Sequence, residues 1–176
     1  MASVQREHDP LFVHFQALIT QAFLRKIGLA DSELVDYLAD MLAGFAHFDH
    51  IFPFHDISGR RLEEIAEMLM DGDVIFEGAS FIKEREVHKH IGNFTLFWTG
   101  VFPEFLRELQ APRRKDHLID YVEQGKSSYY IASTFDYGQW AQEARIHRCL
   151  SHTFETVAMG LKEVRSSWEE ASRQVS

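Results

Sequence analysis

Ten histidines in an acidic chain are the first feature that could do chemistry. Seven of them fall into three groups with carboxylates beside them. His47, His50 and His55 lie in HFDHIFPFHD, with Asp49 and Asp56 adjacent; Glu86, His88 and His90 form a second group, and Glu143, His147 and His152 a third. On a helix, His47 and His50 share a face at a spacing of three, as do Glu86/His90 and Glu143/His147 at a spacing of four. Helical pairs of this kind can converge in a bundle core on a divalent transition metal, with His47, His50, Glu86, His90 and His147 as the candidate ligands. The familiar metal signatures are missing: the chain has no Glu-x-x-His and no His-x-x-x-His, and the five-residue spacing of His147 and His152 points them apart. The competing reading is that these histidines are exposed, or hydrogen-bonded at helix ends, or placed in a pH-sensitive interface.

Other chemistry is thinner. Cys149 and His152 could form a nucleophile–base pair on a helix, but no oxyanion site is evident, and a lone cysteine more often serves as a small core residue. No GxSxG, phosphate-binding loop, dinucleotide-binding glycine pattern or kinase motif is present. Asn93 and Thr95 interrupt the most apolar stretch. A buried Asn needs several hydrogen-bond partners. It therefore predicts a clamp to a neighbouring helix, to Tyr121 or Ser128, or else a small pocket lined by Asn93, Thr99 and Tyr129.

The elements that must position these residues read as all-α, a single-domain bundle of about six helices. Asp9-Pro10 starts the first helix as cap and first turn, and Gly28 closes it. Asp31 or Ser32 caps a second, with Leu34, Val35, Leu38, Met41, Leu42, Phe45 and Phe48 at helical period until Phe52-Pro53. A third runs from Asp56 or Ser58 to Asp71-Gly72-Asp73. Val74-Ile75-Phe76 reads as an apolar connector, since no partner strand is evident. Ser80 caps the central helix, about 81–102, which turns apolar on nearly every face from Ile91 onward and so must be surrounded. Gly92 and Gly100 each cost about 1 kcal/mol there relative to alanine, which predicts close approach of a neighbour or a kink. A fifth helix spans about Lys115 to Phe135, with Gly125 on its packing face. The sixth runs from Trp140 to about residue 170. Residues 1–8 are expected to be a flexible N-terminus, 9–170 the bundle and 171–176 a frayed end.

Net charge is −9, and the only basic run is Arg113-Arg114-Lys115 behind Pro112. That balance disfavours nucleic acid and anionic membrane surfaces, which need clustered cations. One cysteine excludes an intrachain disulfide. The polar MASVQREHDP start and the short, interrupted apolar runs predict neither a signal core nor membrane insertion, and so a cytoplasmic protein.

Gly92-Asn93, Leu96-Phe97 and Gly100-Val101-Phe102-Pro103, followed by Tyr121, Gly125 and Ser128-Tyr129, resemble a bacterial all-helical family. In that family a "GD…L…GLFP" helix precedes a "Y…G…AY" helix. The resemblance covers roughly residues 87–135, and the chain departs from the pattern at Asn93, Val101 and Ser128. It implies a bacterial helical domain with no assigned activity, and packing of the central helix against the fifth.

The expectation from these features is a non-enzymatic interaction or structural domain that associates with itself or with a protein partner. Fifteen phenylalanines, more than a small bundle needs, motivate it. A metal-binding bundle and a bundle holding a small apolar ligand are the alternatives.

Overall fold

The computed structural model describes residues 8–28, 31–47, 51, 53, 55, 58–74 and 81–175. Among these, the chain forms an all-α bundle. α1 is Pro10–Lys26, α2 Ser32–Phe45, α3 Ile65–Val74, α4 Phe81–Gly100, α5 the single turn Leu106–Leu109, α6 Tyr121–Ser133 and α7 Ala141–Val175. Short 3-10 turns at Pro103–Phe105, Lys115–Leu118 and Gly138–Trp140 link the later elements.

Three helix starts follow from local chemistry. Asp9 accepts from Leu11 N, Asp31 from Glu33 N and Leu34 N, and Asp120 from Val122 N and Glu123 N. Each satisfies N–H groups that the first helical turn leaves without an internal partner. Gly28, at φ +69°, ends α1 in the left-handed region.

α4 explains its own composition. Leu96, Phe97 and Val101 enter a core shared with α1, α2, α6 and α7. Val87, Ile91 and Phe94 enter a second, smaller core with Leu62, Ile65, Met68 and Tyr121. The helix lies between two hydrophobic layers, so it has no wide polar face. Its most extensive partner is α6, as the glycines predict. A Cβ on Gly92 would lie 2.6 Å from the Tyr129 ring, and one on Gly125 would lie 2.5 Å from Phe154.

Other boundaries differ from the sequence expectation. The third helix begins at Ile65, not near Asp56 or Ser58, because its cap arrives from elsewhere. Buried Asp116 accepts from Ile65 N (3.0 Å), Ala66 N (2.9 Å) and the Tyr121 hydroxyl (2.5 Å). Glu64 returns the contact by accepting from the backbone N–H of Lys115 and Asp116. That helix also runs past Asp71-Gly72-Asp73 to Val74. Ile75, Phe76, Ser80, Phe48, Phe52 and Asp56, on which the sequence expectation partly rests, lie outside the described residues. The expected Lys115–Phe135 helix is divided, since the Asp120 cap starts α6 afresh at Tyr121. α7 is kinked at Thr153 (φ −115°, ψ 20°), whose hydroxyl donates to the Cys149 carbonyl.

The basic run is partly neutralised within the fold. Lys115 pairs with Glu67 at 2.5 Å, and Arg114 lies 3.9 Å from Glu64. Burial would raise the Glu67 carboxyl. Hydrogen bonds from Lys115, Arg60 and the Glu63 N–H outweigh it and hold the group at about 2. Among the described residues, no helix is long and apolar enough to cross a membrane.

Candidate functional site

Four helices meet at one polar point. Asn93 of α4 accepts at Oδ1 from the hydroxyls of Tyr37 on α2 (2.7 Å) and Tyr129 on α6 (2.8 Å). His147 of α7 places Nε2 3.1 Å from the Tyr37 oxygen. Its ring stacks on Tyr129 (5.8 Å, 25°) and meets Tyr37 edge-on (5.5 Å, 84°). Asn93 thus clamps α2 and α6, through partners other than Tyr121 or Ser128. Thr95 instead returns its hydroxyl to the carbonyls of Ile91 and Gly92.

Proton inventory fixes the polarity of this network. His147 is fully buried, and its Nδ1 meets no partner in hydrogen-bond geometry among the described residues. The Ala132 backbone favours ring protonation without reaching hydrogen-bond geometry at Nδ1. Asn93 Oδ1 can only accept, so the Tyr37 hydrogen is spent on it and Nε2 of the neutral ring carries the proton given to Tyr37. Tyr37 then donates to Asn93 Oδ1, as Tyr129 does. Turning the amide over would strand the Tyr129 hydroxyl, which has no other acceptor among the described residues. Asn93 Oδ1 therefore faces the tyrosines, and its NH2 faces away from them. Burial lifts both phenols well above the ordinary tyrosine value, so they stay protonated.

One turn from His147, Glu143 receives Lys89 at 2.6 Å and also Arg85. The Arg85 side chain is buried and stacks over Trp140 at 5.6 Å. Burial would raise the Glu143 carboxyl, and the two cations outweigh it and keep it below the usual range.

The sequence-predicted metal set is distributed among separate environments. His147 belongs to the tyrosine network. His90 donates from Nε2 to the Ile51 carbonyl (2.9 Å) and packs against Phe45 and Phe94. Glu86 is exposed and pairs with Arg85, and His47 is exposed just past α2. His50 lies outside the described residues. Among the described residues, no three His, Cys, Asp or Glu side chains are grouped to hold a metal ion. Cys149 is exposed, with its thiol 3.8 Å from Thr153 Oγ1. Tyr37, Arg85 and Lys89 do not stand out in the sequence. The available signals are a polar-tipped aromatic in the inner stripe of α2, and i,i+4 spacing of Arg85, Lys89 and Asn93.

Both buried imidazoles are pushed down to about 4, chiefly by loss of solvation. An unfolded histidine takes up its proton near 6.5, whereas these two take it up only near 4. The unfolded state therefore binds more protons between those values, and stability falls as pH drops through that window. Going from about pH 7 to about pH 5.5 should cost about 2 kcal/mol for the pair, measured by urea denaturation. His90→Gln should roughly halve that cost; a pH-independent midpoint in the wild type would refute the assignment.

A second concavity, of about 440 Å³, is almost wholly apolar. Phe15, Phe45, Phe97, Trp98, Phe102 and Trp168 form most of its wall. Edge-to-face contacts lock these rings together, including Phe97–Trp98 (5.2 Å, 74°) and Phe15–Trp168 (5.9 Å, 89°). Among the described residues, Arg165 is its only charged lining residue. That guanidinium is already committed: it donates to the Val101 carbonyl (3.0 Å), Glu104 (2.5 Å) and Glu169 (2.8 Å), and lies 4.7 Å over the Phe102 ring. Trp168 and Phe105 sit exposed at the rim.

Comparison of the chain with protein-family models, curated proteins and solved structures returns no match.

Proposed function

We propose that this chain is a binding domain that takes a small uncharged apolar molecule in the aromatic groove between α1, α2, α4 and α7. The observation that carries this reading is the groove itself. Its volume of about 440 Å³ suits a small ligand, and its walls are locked aromatic rings. Among the described lining residues the one charge, Arg165, is already paired, which favours an uncharged ligand. Among the described residues the lining offers hydrophobic contact in place of nucleophiles or bases, which supports a binding role. An exposed free thiol at Cys149 fits a reducing compartment such as bacterial cytoplasm.

Two of the three tryptophans, Trp98 and Trp168, line the groove, so intrinsic fluorescence reports on it. Titration with the apolar dye N-phenyl-1-naphthylamine should give saturable energy transfer from tryptophan. Ala46 is exposed on the rim. Ala46→Phe should therefore fill the groove without disturbing the core and weaken the dye roughly tenfold. Equal binding by both proteins, or no saturation, would overturn the proposal. So would a concentration-dependent dimer in sedimentation velocity that Ala46→Phe dissolves, since the groove would then belong to a second copy.

A further inference from the structure

One wall of the aromatic groove is irregular chain. Phe102 and Phe105, which line it, lie beyond the end of α4. The backbone leaves helical geometry at Phe102 (φ −131°, ψ 58°) and enters the 3-10 turn Pro103–Phe105, which has no side-chain cap among the described residues. Glu104 and Phe105 on that turn are exposed. An exposed segment of this kind opens at lower cost than the helices around it.

Arg165 supplies a polar link from this segment to α7. Its Nε donates to Glu169 one turn on (2.8 Å), which orients the guanidinium on its own helix. Its Nη1 donates to the Val101 carbonyl (3.0 Å) and the Glu104 carboxylate (2.5 Å), and the guanidinium lies 4.7 Å over the Phe102 ring. One side chain anchored on α7 thus grips a carbonyl, a carboxylate and a ring of the α4 exit. Arg165 lines the groove yet keeps a quarter of its side-chain surface in solvent, and Trp168 and Phe105 of the same lining are exposed. The link therefore stands at the mouth and not in the floor.

We propose that Arg165 is a strap that gates the aromatic groove. An apolar ligand enters and leaves when the guanidinium releases Glu104 and the Val101 carbonyl, so that the 101–105 wall can move off α7, and the strap closes again over the occupied groove. This inference rests on the groove being a ligand site, and it concerns the rate of exchange. Because the strap is closed in both the empty and the occupied groove, weakening it lowers the barrier between them without favouring either. The Glu104 contact is solvent-exposed, so the acceleration is modest in size and is screened by salt.

The test is stopped-flow energy transfer from tryptophan to N-phenyl-1-naphthylamine, in the whole chain and in two folded variants. Glu104→Gln removes the charge that the strap crosses to, and should speed both entry and exit about fivefold while leaving the affinity within about twofold. Glu169→Gln makes the same change in charge on the α7 side, where nothing is bridged, and should leave both rates within about twofold. The dye is uncharged, so salt does not steer its approach. Raising NaCl from about 0.05 to about 0.5 M should speed exchange in the wild type and much less in Glu104→Gln. Saturable binding with equal rates in wild type and Glu104→Gln would overturn the strap and leave the groove reading standing. Faster exit with unchanged entry and weaker binding would also overturn it, since Glu104 would then only support the occupied wall. Equal acceleration by Glu169→Gln would reduce the effect to net charge and overturn it too. No saturable binding at all would overturn both the strap and the groove reading.

Discussion

Gly125→Ala should destabilise the protein by about 3 kcal/mol, although alanine is the better helix former by about 1 kcal/mol. The added Cβ would fall on Thr95 Oγ1 and within 2.5 Å of Phe154 Cε2. Neither can retreat. Thr95 is fully buried, with its hydroxyl fixed to the carbonyls of Ile91 (2.8 Å) and Gly92 (2.9 Å), and Phe154 is fully buried as well. Relief requires α4 and α6 to separate, which opens both hydrophobic cores at their shared helix. Gly92→Ala should cost slightly less, because its Cβ meets the face of the Tyr129 ring at 2.6 to 2.9 Å. That ring is held by the Asn93 bond and by His147, so it cannot swing aside freely. Gly100→Ala is the control. Its Cβ would lie 3.0 Å from Leu161 Cβ and 3.2 to 3.3 Å from the Ala158 backbone, a tight fit but without the sub-3 Å overlaps at Gly125, and its cost should stay well below that of Gly125→Ala. Urea midpoints at constant m-value give the ranking. A neutral Gly125→Ala would show that the α4–α6 crossing is looser than these distances require.

Asp116→Ala should be costlier, at about 4 kcal/mol, because one carboxylate serves three donors. Its loss strands the N–H groups of Ile65 and Ala66 and the Tyr121 hydroxyl. Ile65 and Tyr121 are buried, so water cannot easily replace the lost acceptor. The effect should be regional as well as global. Hydrogen exchange at Ile65 and Ala66 should accelerate before exchange at the centre of α4 does, since α3 loses its start while the larger core is untouched. Tyr121→Phe in the Asp116→Ala background should cost little, because the hydroxyl no longer has its acceptor. Additive losses in that double variant would show that Tyr121 and Asp116 act separately.

The two substitutions mark the boundary between local and tertiary information. Asp9 and Asp31 cap N–H groups two or three residues away, and the sequence reads them as caps; Asp120 caps just as locally, but the apolar period running through it from Lys115 hides the break. Asp116 does the same chemistry for α3 from 51 residues away, and no local pattern announces it. That is why the third helix reads as starting several residues early. The crowding of α4 and the meaning of Gly92 and Gly125 are also legible. A helix apolar on all faces must be enclosed, and the small residues along it mark where a neighbour comes close.

For the histidines, sequence spacing establishes only which side chains share a helix face. It carries no information on how that helix is rotated in the bundle. Rotation and packing send His90 to the Ile51 carbonyl, Glu86 outward to Arg85, and His147 into the tyrosine network. Asn93 shows the same division. A polar amide in an apolar helix must find partners, and that need is written in the residue type. The partners themselves, Tyr37 at 56 residues' separation and Tyr129 at 36, are chosen by how four helices converge. Composition and period thus determine an all-α bundle around a buried central helix. The aromatic groove and the tyrosine network exist only where distant side chains meet, and those meetings are settled by packing.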